Sequence, residues 1–164
     1  VITFTAYGIA ATQGSLRGFI PKGWKRPILT SDNKRLRPWR QAVVDSCREI
    51  VAGRCPMEGP VHLDVTFFLP RPKTAPKRIT EPAKLPDLSK LVRALEDALT
   101  SAGVWRDDAQ VIHVEARKAV AAGIHDPEGA AWIPGAVVTA YEVPHQQPEQ
   151  DRQRGLLDIA EARS

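Results

Sequence analysis

Five prolines, Pro70, Pro72, Pro76, Pro82 and Pro86, stand within seventeen residues and divide this chain more sharply than any other feature. Each fixes φ and removes a backbone donor, so residues 70–86 can be neither helix nor central strand. The hydrophobic period changes across them. Before them, Val61, Leu63, Val65, Phe67 and Leu69 alternate with His62, Asp64 and Thr66, which is a strand with one face on a core. After them, Leu88, Leu91, Val92, Leu95, Ala98 and Leu99 recur at helical spacing, an amphipathic helix over 88–101. Asp87 stands where an N-cap would be, and Gly103 punctuates the end.

The flanking segments complete the pattern. Residues 2–8 are β-branched and aromatic and read as a first strand. Residues 10–35 hold Gly14, Gly18, Pro21, Gly23 and Pro27 and read as a long loop with room for a short hairpin. Pro38 opens a helix in its first turn, with Trp39, Ala42, Val43, Cys47, Ile50 and Val51 on the inner face and Gly53 at its end. Residues 109–120 and 136–143 read as two more strands, with a loop over 123–135. The order β, α, β, α, β, β predicts one α+β domain over residues 1–143. Its mixed or antiparallel sheet of about four strands would pack with two main helices. Residues 144–164 are rich in Gln, Pro and charge and read as a polar tail, with one short helix available at 155–162.

At 164 residues, 43% hydrophobic and 26% charged, the chain has enough apolar material for a core without disulfides. It has no apolar run of 18 residues, so no membrane span is expected. Val1–Ala11 lacks the basic start and small-residue cleavage site of a leader. Cys47 and Cys55 alone make neither a disulfide framework nor a zinc site, and a reducing, cytoplasmic setting is expected.

Charge is segregated. Residues 1–93 carry ten more Lys and Arg than Asp and Glu, whereas residues 94–164 carry six more acids than bases. The bases cluster in two stretches. One holds Arg17, Lys22, Lys25, Arg26, Lys34, Arg35, Arg37 and Arg40, and the other Arg71, Lys73, Lys77, Arg78 and Lys84. Such stripes suit a polyphosphate partner, because each phosphate contact releases counterions. A solvated loop surface is the other reading.

Asp87 and the pair Asp107-Asp108 are the residues best suited to chemistry. Carboxylates held together raise one another's pKa unless a cation sits among them, and Mg²⁺ takes one or two carboxylates with water and phosphate oxygens. The plainer reading makes Asp87 an N-cap and Asp107-Asp108 a turn. A helix of this length spans about 21 Å. Asp87 and Asp108 therefore meet only if the segment after Gly103 returns over the helix start or the helix crosses the sheet obliquely.

The stretch PDLSKLVRALEDALTSAGVWRDDAQV, residues 86–111, closely resembles the core motif of the RusA-type Holliday junction resolvases. That motif runs Asp-Leu-Asp-Asn/Lys-Leu, then a Lys or Arg on the same helix, Asp-Ala-Leu, and a Trp or Tyr before Asp-Asp-x-Gln-Val. Gln13-Gly14-Ser15-Leu16-Arg17 is similar to the family's Gln-Gly-Ser-x-Arg stretch, and Pro38-Trp39-Arg40 to the start of its first long helix. The resemblance covers residues 1 to about 143 in order and is most specific at 86–111. It implies a bacterial, prophage or phage endonuclease that uses Mg²⁺ or Mn²⁺, acts as a symmetric homodimer and nicks four-way DNA junctions in recombination and repair. The family's acidic residues fall on Asp87, on position 89 and on Asp108, and its helix base falls on Arg93.

Position 89 departs from the motif: it is Ser89, whose hydroxyl can hold a metal-bound water but brings no charge. Asp107 and Glu96 are the candidates to compensate. Glu96 lies about 20° from Ser89 around the helix and roughly 10.5 Å along it. An ion pair with Arg93 is the competing role for Glu96. In the resemblance Arg93 neutralises the scissile phosphate, and otherwise it balances Glu96 and Asp97. Trp105 reads as a core residue, and His113 shares a solvated or interface face with Glu115 and Arg117.

The preferred reading is metal-assisted phosphodiester hydrolysis by Asp87, Asp108 and Arg93, with the basic loops gripping the junction arms. A second reading is a junction-binding protein that does not cut because Ser89 has weakened the metal site. A third is a partner-binding module that uses residues 155–162.

Overall fold

The computed structural model describes residues 1–14, 16–31, 33–71, 82–120, 124–125 and 132–144. Its elements are β1 (Ile2–Tyr7), β2 (Leu16–Phe19), β3 (Ile28–Ser31), α1 (Leu36–Val51), β4 (Val61–Leu69), α2 (Leu88–Ala102), β5 (Val111–Val120), β6 (Ile124–His125), β7 (Trp132–Ile133) and β8 (Gly135–Glu142). The expected tail at 144–164, with its helix at 155–162, falls almost wholly outside the described residues, as does 72–81 of the proline-rich loop.

Four strands form the main sheet in the order β1-β8-β4-β5. β8 runs antiparallel to both β1 and β4, while β4 and β5 are parallel, so the sheet is mixed. Parallel neighbours need a long crossover, and here the connection from β4 to β5 carries α2. The two helices cover one face. Val61, Leu63, Val65, Phe67 and Leu69 point inward with Ile2, Phe4, Ala6, Ala136, Val138 and Ala140. Against them pack Trp39, Val43 and Cys47 of α1 and Leu91, Ala94, Leu95, Ala98 and Leu99 of α2. The alternation in β4 and the helical period in α2 thus meet in one core, where deleting a side chain such as Phe67 costs about 3–5 kcal/mol.

Local chemistry sets the boundaries. Before α1, Asn33 Oδ1 accepts from Arg35 N at 3.1 Å and the Asn33 carbonyl from Leu36 N at 3.0 Å, which turns the chain into the helix. Pro38 lies in the first turn as expected. α2 stops at Gly103, whose φ of +78° closes the helix in the left-handed region. Between the helices, Arg40 Nη2 donates to the Asp97 carbonyl at 3.2 Å, and its Nη1 lies 3.6 Å from Asp97 Oδ2. Arg40, one of the basic stripe, therefore ties α1 to α2.

Three expectations are refined. The long loop at 10–35 contains a hairpin, β2 paired antiparallel with β3. The strand expected from residue 109 begins at Val111, because Asp107 caps a short 3-10 turn over Asp108–Gln110. Within the loop expected at 123–135, β6 and β7 pair, and β8 starts at Gly135.

Candidate active site

The geometry of α2 and β5 answers how Asp87 and Asp108 are related. Lys118, near the end of β5, donates from Nζ to the Pro86 carbonyl at 2.9 Å and to the Lys84 carbonyl at 3.0 Å. The end of β5 thus lies against the head of α2. The start of β5 lies toward the other half of the helix, where Asp108 acts on Glu96. Glu96 is nine residues beyond Asp87, about 13.5 Å along the axis. The turn that carries Asp108 therefore packs against α2 within electrostatic reach of Glu96, while Asp87 stands at the helix head.

Asp87 is in the N-cap position with extended backbone, yet its side chain makes no capping hydrogen bond. Its Oδ2 lies 3.3 Å from Lys90 Nζ, a partly exposed pair worth little by itself. The carboxylate thus remains open at the helix head. Ser89, Arg93 and Glu96 follow at i, i+4 and i+7 and share one stripe of α2. Ser89 and Arg93 are exposed and Glu96 is half-buried. Burial pushes the Glu96 carboxyl above the ordinary glutamate range, the negative charges of Asp108 and Asp97 push it further, and Arg93 opposes them. Among the described residues no ion pair joins Arg93 to Glu96, so Arg93 acts on it only through its field.

The 3-10 turn that carries Asp108 is held by its neighbours. Asp107 Oδ1 accepts from Ala109 N at 2.8 Å, so this carboxylate is engaged in capping. Gln110 Oε1 accepts from Arg106 N at 2.9 Å and Asp107 N at 3.0 Å. Its Nε2 donates to the carbonyls of Met57 at 2.9 Å and Gly59 at 3.1 Å. Gln110 is thus a positioning residue that fixes the Asp108 turn to the loop before β4. No role was expected for it, although the Asp-x-x-Gln spacing from Asp107 is the sign of a capping box. Arg106 also pairs with Glu58 across the same junction. Trp105 is buried, as expected, and its Nε1 donates to Thr100 Oγ1 at 2.7 Å.

Among the described residues, no group of three or more His, Cys, Asp or Glu side chains is close enough to hold a metal ion. The candidate donors are the carboxylates of Glu96 and Asp108, whose charges act on each other, and the oxygens of Asp87 and Ser89 at the helix head. On the sheet face away from the helices, the His62 and His113 rings lie 4.8 Å apart, and Arg117 Nε donates to Thr66 Oγ1 at 2.8 Å. His113 and Arg117 therefore belong to the uncovered face and not to α2.

The basic residues divide. Lys22, Lys25, Arg26, Lys34 and Arg35 are exposed on and beside the β2–β3 hairpin, and Arg17 is a residue of β2. Arg71 is partly buried and has an interaction partner. Lys73, Lys77 and Arg78 lie outside the described residues. No helix among the described residues is long and apolar enough to cross a membrane.

A family model described as Endodeoxyribonuclease RusA matches residues 20–125. The match takes in Asp87, Ser89, Arg93, Glu96, Asp107 and Asp108, and begins after the Gln13–Arg17 stretch. No curated protein matches the chain.

Proposed function

The chain belongs to the RusA family of endodeoxyribonucleases, and from that premise we propose a divalent-metal-dependent enzyme that resolves four-way DNA junctions by paired nicks as a homodimer. The activity class, a junction-resolving endodeoxyribonuclease, comes with the family. The metal dependence is supported by one arrangement: the turn carrying Asp108 packs against α2, where its charge acts on the half-buried Glu96, one turn from Arg93 on the same helix stripe.

This donor set fits a hard divalent cation. Two carboxylates whose charges disfavour each other in a partly desolvated place are hard oxygen ligands, and Mg²⁺ or Mn²⁺ relieves their repulsion. Asp108 and Glu96 would hold the ion, with Asp107 adjacent. Asp87 and Ser89 offer separate oxygens at the helix head, Asp87 about 13.5 Å along the axis from Glu96. Once bound, a divalent cation lowers the pKa of a water and stabilises charge gathering on the attacked phosphate.

The chain's own residues do the rest. Arg93 stands between Ser89 and Glu96 and offers a fixed guanidinium to the scissile phosphate. Gln110 holds the Asp108 turn in place. The exposed Lys22, Lys25, Arg26, Lys34 and Arg35, with Arg17, Arg71, Lys73, Lys77 and Arg78, grip the arms through phosphates. A two-fold substrate suits a two-fold enzyme, since each protomer then faces one of two equivalent strands.

The test is a labelled four-way junction incubated with purified protein, with and without Mg²⁺. Asp108→Asn, Asp87→Asn and Glu96→Gln variants run beside the wild type. Symmetric nicks that need the metal and fall about 100-fold or more in Asp108→Asn support the reading. Salt-sensitive binding without nicks, in Mg²⁺ and in Mn²⁺, would instead make the protein a junction binder whose Ser89 has disarmed the site. Unchanged cleavage in Glu96→Gln would remove Glu96 from the ligand set.

A further inference from the structure

We propose that the indole of Trp24 is a stacking platform for a nucleobase at the centre of the DNA branch, a role that rests on the nuclease reading above. Among the described residues, strands β2 and β3 pair with each other and not with the main sheet, so the hairpin forms an arm. Register pairs Phe19 with Ile28 and leaves residues 20–27 as its tip. Trp24 N donates to the Pro21 carbonyl at 3.0 Å, and Gly23 at the third position of this turn has φ +89°. A positive φ there is the mark of a type II turn, which suits Gly and pins the backbone of Trp24.

The Trp24 side chain is 61% exposed, whereas Trp39 and Trp105 are buried. Ile20 in the same tip is 62% exposed. Two large apolar side chains thus stand exposed on one short turn. Its surroundings define the chemistry of the contact. Lys22, Lys25 and Arg26 are all exposed, and no acid occurs between Arg17 and Ser31. An aromatic ring among cations is the arrangement that binds nucleic acid by backbone charge and base stacking together.

The arm is rooted at the proposed active site. Gln13 N donates to the carbonyl of Lys90 in the first turn of α2 at 3.0 Å. Asn33 Nδ2 donates to the Thr12 carbonyl at 3.0 Å and closes the two ends of the arm together. Nine residues from Gln13 to Lys22 span at most about 30 Å. The tip therefore lies within one turn of duplex, about 34 Å, of the helix head that carries Asp87. Inside a continuous duplex every base is covered on both faces. In the open form that a four-way junction takes without divalent metal the stacks end at the crossover, and a base face is free for the indole. The ring would thus favour branched over linear DNA, which the cations alone cannot do.

The experiment uses the full chain without divalent metal, a four-way junction with 2-aminopurine at the crossover, and a linear duplex of the same sequence. Expected are quenching on junction binding by the wild type, and about tenfold weaker junction binding with no quenching in Trp24→Ala. Trp24→Phe should restore most of both, and duplex affinity should not move. A Lys22→Ala control should weaken junction and duplex alike. Wild-type junction affinity in Trp24→Ala overturns the proposal, as does equal loss on both DNAs. A shift of Trp24→Ala from dimer to monomer in sedimentation also overturns it, since the indole then belongs to a protein interface. If the wild type itself shows no preference for the junction, the resolvase reading fails and this one with it. That failure shows in the unaltered protein, so the two are told apart.

Discussion

Lys118 Nζ donates to the carbonyl of Pro86, the residue before Asp87, at 2.9 Å. The ammonium of one strand end thereby holds the entry to the helix of the proposed active site, and a second bond to Lys84 strengthens the hold. Lys118→Met keeps the aliphatic stem and removes both charge-assisted bonds. Because the site is partly solvated, a loss of about 1–2 kcal/mol is expected by chemical denaturation. Junction cleavage should fall further than this stability change implies, since Asp87 follows directly on the clamped residues. An unchanged unfolding midpoint would show that the clamp holds nothing.

Glu96 predicts a pH dependence whose sign can be worked out. Its folded pKa is raised, first by burial and then by Asp108 and Asp97. The folded state therefore favours the protonated acid. The stability it contributes is complete below the ordinary glutamate pKa of about 4.3 and is lost as pH rises through the raised folded value. Glu96→Gln should therefore be more stable than wild type at pH 8 with chelator present. The difference should shrink as pH falls toward 4, as followed by thermal unfolding. Equal pH profiles for the two proteins would remove Asp108 as a neighbour of consequence.

Thr100 supports the buried indole of Trp105 with a hydrogen bond of 2.7 Å, and its hydroxyl also donates to the Glu96 carbonyl at 3.0 Å. Thr100→Val preserves shape and leaves the indole N–H without that acceptor. A cost of about 1–3 kcal/mol is expected in the unfolding free energy, the penalty of an unsatisfied buried donor. Thr100→Ser should recover most of it.

Gln110 predicts a separation of stability from activity. Gln110→Ala removes two donated and two accepted bonds that fix the Asp108 turn to Met57, Gly59, Arg106 and Asp107. Most of these groups are at the surface, so water replaces part of what is lost. Junction affinity should stay near that of wild type while the cleavage rate drops about tenfold, a displaced catalytic group being costly even at small shifts. Equal losses in binding and cleavage would assign Gln110 to the general fold.

The local elements were legible because each has a short-range cause. The inward alternation of Val61 to Leu69, the apolar stripe from Leu88 to Leu99 and the closing Gly103 are all present where the pattern places them. The hairpin at 16–31 was only half legible, because its strands are four residues each and lack a strong alternation. At the site, Asp87, Ser89, Arg93 and Asp108 are legible from the motif. Nothing local distinguished Glu96 paired with Arg93 from Glu96 beside Asp108. That choice depends on where the chain goes after Gly103.

The long strands and helices, the segregation of basic and acidic halves, and the family motif were written in the sequence, because period, punctuation and motif are properties of neighbours along the chain. Packing along the fold set the Asp108 turn against α2, within electrostatic reach of Glu96, and the residue before Asp87 against the end of β5. A parallel β4–β5 pair sets β5 beside β4 in a fixed direction, and Lys118 then meets Pro86. The distance between two carboxylates twenty-one residues apart is set by that packing, which no local pattern encodes.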